Sequence, residues 1–347
     1  MSRLLTFLGN FIVLATGFGL LARYVSPHTF WPPAVVALLL PLLLLFTLLF
    51  ALLQLLRGRW RTAVFPALVL LGAVPILGRL FAWPEPAPTL PPDSPTLTLL
   101  TGNQRFFRSA DGTDADTSRV GRTFRKYNVD VALLQEVRTT RYRVDYISQI
   151  QSADHLRQRH QKEGTLIATY GTAPEPVSAN FSEPNEYNGF IVTDLPTPIG
   201  KLRIINAHLE TNKISNLAED IGGGSRSFGD RLETFGRMLA GYSRATRVRA
   251  QQADAIRTAV NESPYPVILG GDFNDVPSSY TYNQILSPRL RDAWSDRGSG
   301  LGATFTGPLP GLRIDYFLVD TSLTIVDIDR LAPQWSDHRP LRLTVAR

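Results

Sequence analysis

The sequence contains no cysteine in its 347 residues. That excludes disulfide bonds, a thiolate nucleophile and any cysteine-ligated zinc or iron–sulfur site. It leaves the compartment open, because a domain of roughly 250 residues buries enough surface to fold without staples in either redox environment. Acidic residues are also missing from the early chain, where none precedes Glu85. Up to that point the charged side chains are Arg3, Arg23, Arg57, Arg59, Arg61 and Arg79. They are six of the 36 basic residues and leave 30 against all 30 acidic ones, so the formal net charge of +6 belongs to the amino-terminal segment. The neutral remainder excludes a global electrostatic footprint for nucleic acid. It leaves only local clusters, Arg138, Arg141 and Arg143 or Arg244, Arg247 and Arg249, which read as a solvated loop and a solvated helix face.

In place of charge the amino-terminal segment has three long apolar runs, Leu4 to Leu21, Pro33 to Leu56 and Thr62 to Phe81. Each is near the length of about 20 residues that a helix needs to cross the hydrocarbon core, so the pattern predicts three transmembrane helices. Pro66 and Pro75 in the third run fit this, since membrane helices tolerate proline. A cleaved signal peptide is a poorer account of the first run, because two more apolar runs follow it with no small-residue cleavage site before a soluble domain. Trp31, Trp60 and Trp83 fall at successive run ends, where indoles mark the headgroup level. Arg3 and the cluster Arg57, Arg59 and Arg61 share one side, and the positive-inside rule puts that side, with the amino terminus, in the cytoplasm. The expected organisation is a multi-pass membrane anchor over 1–83, a Pro-rich linker over 84–95 acting as an extended spacer, and an extracytoplasmic domain over 96–347.

From Thr96 onward short apolar runs read as buried strands: Leu97 to Leu100, Val131 to Leu134, Leu166 to Ala168, Leu202 to Asn206, Val267 to Leu269 and Ile314 to Val319. They alternate with helical patterns at Ser118 to Tyr127 and about Phe228 to Val260, which indicates α/β architecture. At or just beyond the ends of several strands stand polar islands. These are Asn103 in Thr-Gly-Asn, Glu136 in Gln-Glu, His208 in Asn-Ala-His, Asp272 and Asn274 in Gly-Gly-Asp-Phe-Asn, and Asp315 in Arg-Ile-Asp. The last is Ser336-Asp337-His338-Arg339-Pro340. The run Gly222-Gly223-Gly224-Ser225 reads as a linker, because no P-loop lysine accompanies it.

In their order and spacing these islands resemble the endonuclease/exonuclease/phosphatase superfamily over about Pro95 to Arg347. The resemblance implies an α/β fold, the four-layer α/β/β/α sandwich of DNase I-like proteins, here preceded by three transmembrane helices. It also implies phosphodiester hydrolysis dependent on Mg²⁺ or Mn²⁺, with Glu136 as a metal ligand, Asn103 beside it, and Asp337 completing the site or binding a second ion. By the same resemblance Asp272 orients and deprotonates the attacking water and Asn274 donates to a phosphoryl oxygen. His338 donates to the phosphoryl group while Asp315 fixes its ring, and His208 contacts the scissile phosphate or assists the leaving group. Taken singly, each residue has a plainer account: a strand-end ion pair for Glu136, a turn for Asp272 and Asn274, ordinary pairing for Asp315, a satisfied strand-end histidine for His208. Ser336, Asp337 and His338 are not a hydrolase triad, because consecutive side chains do not converge. Arg105 stands two positions beyond Asn103, where DNA-repair members carry an acid, which argues against an abasic endonuclease.

The reading that follows is a membrane-tethered phosphodiesterase whose substrate is a phospholipid headgroup, a nucleotide or nucleic acid, and whose N-terminal helices contact the lipid bilayer. A nonspecific nuclease is the alternative within that class, marked by a steep loss of DNA affinity with salt. A catalytically silent membrane receptor or scaffold is the alternative outside it. That reading predicts gaps in the catalytic set, and Glu136, Asp272, Asn274, Asp315, Asp337 and His338 leave none.

Overall fold

Val-, Ile- and Leu-rich runs after Thr96 form the strands of two six-stranded sheets in the computed structural model. It describes residues 2–107, 118–137, 140–141, 144–145, 158–162, 166–182, 187–211, 228–307, 311–332 and 336–347. The first sheet holds β1 (Thr96–Asn103), β2 (Val131–Gln135), β5 (Gln158–His160), β6 (Ala168–Gly171), β13 (Thr324–Arg330) and β14 (Leu341–Ala346), ordered β13-β14-β1-β2-β6-β5. The second holds β7 (Glu175–Phe181), β8 (Gly189–Thr197), β9 (Gly200–His208), β10 (Val267–Asp272), β11 (Leu290–Asp292) and β12 (Asp315–Asp320), ordered β11-β12-β10-β9-β8-β7. A short hairpin joins β3 (Thr140–Arg141) to β4 (Val144–Asp145). Each sheet has one parallel pair at its centre, β1 with β2 and β9 with β10, flanked by antiparallel strands.

Strand periodicity sets the layers, because successive side chains point to opposite faces. Leu97, Leu99, Val131 and Leu133 meet Leu202, Ile204, Ile268 and Phe317 between the sheets. On the outer face of the first sheet, Leu100, Ala132 and Leu134 pack on Phe124 of α5 (Ser118–Lys126). On that of the second, Ile205, Val267 and Leu269 pack on Ala253, Ile256 and Val260 of α6 (Phe228–Asn261) and on Tyr282 of α7 (Tyr280–Ile285). Helices therefore cover both outer faces, the layering the resemblance implies. A last short helix, α8 (Ala293–Arg297), follows β11. Arg138, Arg143 and Gly222–Ser225 lie outside the described residues. The reading of Arg249 as solvated is corrected, since its side chain is wholly buried and pairs with Asp275 at 3.1 Å.

The amino-terminal segment forms α1 (Ser2–Leu20), α2 (Pro32–Ala37), α3 (Leu40–Leu56) and α4 (Trp60–Leu80). Two of the three expected spans are long and apolar enough to cross a membrane, Arg3–Arg23 and Trp60–Leu80. The middle run is instead divided, and its longer piece has 17 residues. Pro41 is the cause. It has no N–H to give the carbonyl four residues back, so the helix breaks at Leu38 and Leu39. That carbonyl, of Ala37, accepts from Ser278 Oγ at 3.1 Å instead.

This contact belongs to a broad seam between the helices and the domain. Ala22 and Ala37 pack on Val276 and Ile314. Arg79 Nη1 donates to Asn283 Oδ1 at 3.0 Å, and Arg313 Nη2 donates to the Arg79 carbonyl at 2.6 Å. The end of α1 and the end of α4 both reach this seam, so the turn carrying Arg57 and Arg59 lies at the far end of the bundle, about 30 Å away for a helix of this length.

Candidate active site

The sheet registers gather the polar islands. In the second sheet His208 pairs with Asp272 and Asp272 with Asp315, so three of the candidate side chains stand in one row across β9, β10 and β12. In the first sheet Asn103 pairs with Gln135, which places Glu136 beside it at the same strand ends. His338, just before β14, is brought over this row by its bridge to Phe305.

The side chains form one hydrogen-bonded cluster. Asn103 Nδ2 donates to Glu136 Oε1 and to Asp272 Oδ2, both at 3.1 Å. His208 Nε2 lies 3.6 Å from Glu136 Oε1 and 3.8 Å from Asp272 Oδ2. His338 Nδ1 donates to Asp315 Oδ2 at 2.9 Å, which aims its Nε2 at Asp272 Oδ2, 3.8 Å away. Asn274 donates from its backbone N–H to Asp272 Oδ1 at 2.8 Å and from Nδ2 to the Leu209 carbonyl at 2.9 Å. Asp337 stands at the rim, 3.9 Å from Arg105 Nε. Glu136, Asn274 and Arg105 all have positive φ, at 52°, 51° and 45°. Such backbone strain in non-glycine residues is concentrated at sites of function.

Burial and charge divide the roles. Burial pushes Asp272 up to about 6, with His338 opposing and the nearby charge of Asp315 adding. For His338 burial works against the charge, but Asp315 and Asp272 overcome it and raise the ring to about 10. Burial also lowers His208, which keeps that ring neutral at pH 7, against the pull of Asp272. Glu136 is raised, first by burial, with the Asn103 hydrogen bond opposing and the charge of Asp337 adding. Asp272, Asp315 and His338 present ligand atoms within 4.8 Å of one another, a geometry that can hold a cation. With Asp315 and Asp272 holding the His338 ring protonated, its Nε2 carries a hydrogen and offers no lone pair, so we read these three as an oriented imidazolium with an acid opposite.

Several supporting residues were not anticipated from the sequence. Gln135 Nε2 donates to Asn206 Oδ1 at 2.7 Å, a buried link between the two sheets directly beneath Glu136 and His208. Asn206 Nδ2 also reaches back to the Ala168 carbonyl at 3.0 Å. Asn188 Nδ2 sits 3.5 Å from His208 Nδ1. The available signal was a pair of amides inside apolar strand runs, where an unpaired polar group is costly. Asp275 joins this supporting set. It holds Arg249, whose Nη1 donates to the Glu210 carbonyl at 2.9 Å and so ties the loops after Asp272 and His208 together.

Gly271 lets β10 pass close behind this row. Its φ is 139°, and a Cβ there would lie 1.9 Å from the Ala207 carbonyl oxygen. Gly271→Ala is expected to cost about 2–4 kcal/mol through combined backbone strain and overlap. A lowered thermal midpoint in detergent micelles would show it, and an unchanged midpoint would contradict the close approach.

Residues 100–338 match the model of the Endonuclease/Exonuclease/phosphatase family, and the chain belongs to that family. It is accordingly a hydrolase by family. Residues 2–80 match a separate model, described as a domain of unknown function (DUF8431). No curated protein matches the chain in sequence. Among solved structures, D. rerio TDP2 humanized by 14 mutations is similar at 15% identity and a TM-score of 0.50, covering 73% of this chain and 99% of that one. That likeness shows the fold. An endonuclease/exonuclease/phosphatase from Bacteroides vulgatus follows at 16% identity and a TM-score of 0.49, covering 72% and 98%. The human Nocturnin catalytic domain with bound sulfate follows at 16% and 0.47, covering 73% and 95%.

Proposed function

We propose that this chain is a divalent-metal-dependent phosphodiester hydrolase, anchored in a membrane by its amino-terminal helices, with its catalytic domain on the extracytoplasmic side. The observation that carries the chemistry is the row His208, Asp272 and Asp315 with the His338 imidazolium above it and Glu136 beside it. Glu136, Asn103 and Asp337 would hold Mg²⁺ or Mn²⁺. Burial and the Asp337 charge leave Glu136 poorly compensated, and oxygen donors suit a hard cation, although Asn103 must turn its amide oxygen inward. When bound, the ion neutralises charge on the phosphoryl oxygens.

The protein groups supply the rest. Asp272, titrating near neutrality, takes the proton of the attacking water, and the backbone N–H of Asn274 fixes its orientation. His338, held cationic by Asp315, donates from Nε2 to the phosphoryl group as charge develops there. Asn274, its amide positioned by the Leu209 carbonyl, is the second donor to that group. His208, neutral by burial, donates from Nε2 to the phosphate or the leaving oxygen.

Support for the anchor is the many large apolar side chains exposed on α1, α3 and α4, including Phe7, Phe11, Leu42, Leu56 and Leu68. With both α1 and α4 ending at the domain, α3 serves as the returning span, and its 17 residues cover about 26 Å, short of the full core unless α2 contributes. The arginine turn at the far end then faces the cytoplasm.

The test is hydrolysis by the full chain in vesicles of bis-p-nitrophenyl phosphate, plasmid DNA and sphingomyelin, with and without chelator. Turnover should vanish with EDTA and return with Mg²⁺ or Mn²⁺. The pH dependence should be bell-shaped, rising as Asp272 ionises near pH 6 and falling as His338 loses its proton near pH 10. Absence of turnover on every substrate with metal present would favour the silent receptor.

A further inference from the structure

Apolar residues in the first half of α6 fall on one stripe, because Leu232, Phe235, Leu239 and Tyr242 recur at three- and four-residue spacing. At one end this stripe is covered. Tyr242 is buried, and its hydroxyl donates to the Ala34 carbonyl at 2.9 Å. Just beyond, Arg247 Nε donates to the Pro27 carbonyl at 3.3 Å. Both carbonyls belong to the outer end of the helical bundle, where α1 gives way to α2. Toward the amino end of α6 the same stripe is bare, with Phe235 44% and Leu232 61% exposed. The opposite face carries Glu233 and Arg237, 4.0 Å apart.

The place where α6 meets the bundle is also where the bundle turns aromatic. Tyr24 and Phe30 are exposed there, next to Trp31. Amphipathic rings at the end of a membrane helix mark the headgroup level. A helix fixed at that level, with an apolar stripe continuing the interface on one side and charge on the other, has the form of an in-plane interfacial helix.

We propose that residues 229–241 of α6 lie in the plane of the membrane, with Leu232 and Phe235 seated at the boundary between headgroups and acyl chains. This rests on the amino-terminal helices spanning that membrane. The occupant is a lipid surface rather than a second copy of the chain, because the stripe runs on directly from the bundle seam and from its aromatic end. Through Arg249, which α6 also carries, the helix is fixed to the loops beside His208 and Asn274, so the bilayer holds the active-site entrance at a set height.

With no native cysteine, the full chain can carry one reporter at a time. Leu232→Cys, Phe235→Cys, Glu233→Cys and Arg237→Cys would each be labelled with bimane in vesicles of phosphatidylcholine and phosphatidylglycerol. Leu68→Cys, at an exposed position midway along α4, is the reference. Lipids carrying a nitroxide on the acyl chain are the quencher. Quenching at 232 and 235 should exceed that at 233 and 237 several-fold, with 68 strongly quenched. Strong quenching at 68 with equal values at the four α6 positions would overturn the in-plane helix and leave the anchor standing. No quenching at 68 would overturn the anchor itself. Cross-linking between copies of the Leu232→Cys variant, with no lipid quenching at that position, would assign the stripe to dimerisation and overturn the lipid contact.

Discussion

Asp272→Asn is expected to lower kcat by about 10²–10⁴, the range of a positioned general base, while the protein stays folded. The substitution keeps the shape of the side chain but removes its capacity to take a proton, one of its two acceptor oxygens and the charge facing His338. Its effect on stability should depend on pH. Burial opposes the charge of Asp272 and raises it from 3.8, the ordinary value for an aspartate, to about 6. The folded state therefore binds more protons than the unfolded state between these values, and stability contributed by this group falls as pH rises through that window. Above pH 6 the buried carboxylate is a standing cost that the asparagine variant escapes, set against the acceptor it loses, so its thermal midpoint should fall short of the wild type by less at pH 7 than at pH 4. Melting curves at pH 4 and pH 7, set beside kcat on bis-p-nitrophenyl phosphate, read both halves. A variant that keeps more than about a third of wild-type kcat would remove Asp272 from the chemistry, since loss of a general base costs about 10²-fold or more.

His338→Ala should reduce kcat by about 10²–10³, as expected for deletion of one donor to developing charge. Asp315→Asn provides the companion measurement. Burial lowers His338, and Asp315 is the largest of the influences that raise it. Without that aspartate Asp272 opposes burial with less help and the ring loses its proton at lower pH, so the alkaline limb of the rate profile should move toward neutrality. A fall in kcat with the alkaline limb unmoved would mean that Asp315 only packs against the ring. The carboxylate is buried and holds the His338 ring through both oxygens, so replacing it by an amide leaves the buried imidazolium with less counter-charge and should lower the thermal midpoint as well.

The islands were legible in the sequence because each interrupts an apolar run with a group that cannot be buried at no cost. Asn103, Glu136, His208, Asp272 and Asp315 all sit at such interruptions, and the structure brings them together with His338. What periodicity leaves out is pairing between distant strands. β14 lies between β13 and β1, and β1 stands at the opposite end of the domain in sequence, so no local pattern encodes that register. β7 carries no strand signal because its residues are almost all exposed, as befits an edge strand. Arg249 departs from the solvated reading because a basic run on a helix ordinarily faces water, whereas here Asp275 draws its third member inward. Hydropathy shows the middle apolar run as one helix because it is blind to Pro41, whose missing N–H divides it.

The position of β14 has a temporal consequence. Residues Thr96 to Thr101, the earliest strand of the two sheets in the chain, pair with Ala346 to Leu341, which leave the ribosome much later. His338 is among those late residues, and the row across β9, β10 and β12 gains its imidazolium only when they arrive. The four amino-terminal helices, by contrast, are complete once residue 80 has been made. With the proposed anchoring, a nascent chain is thus committed to its bilayer long before the candidate site can be assembled.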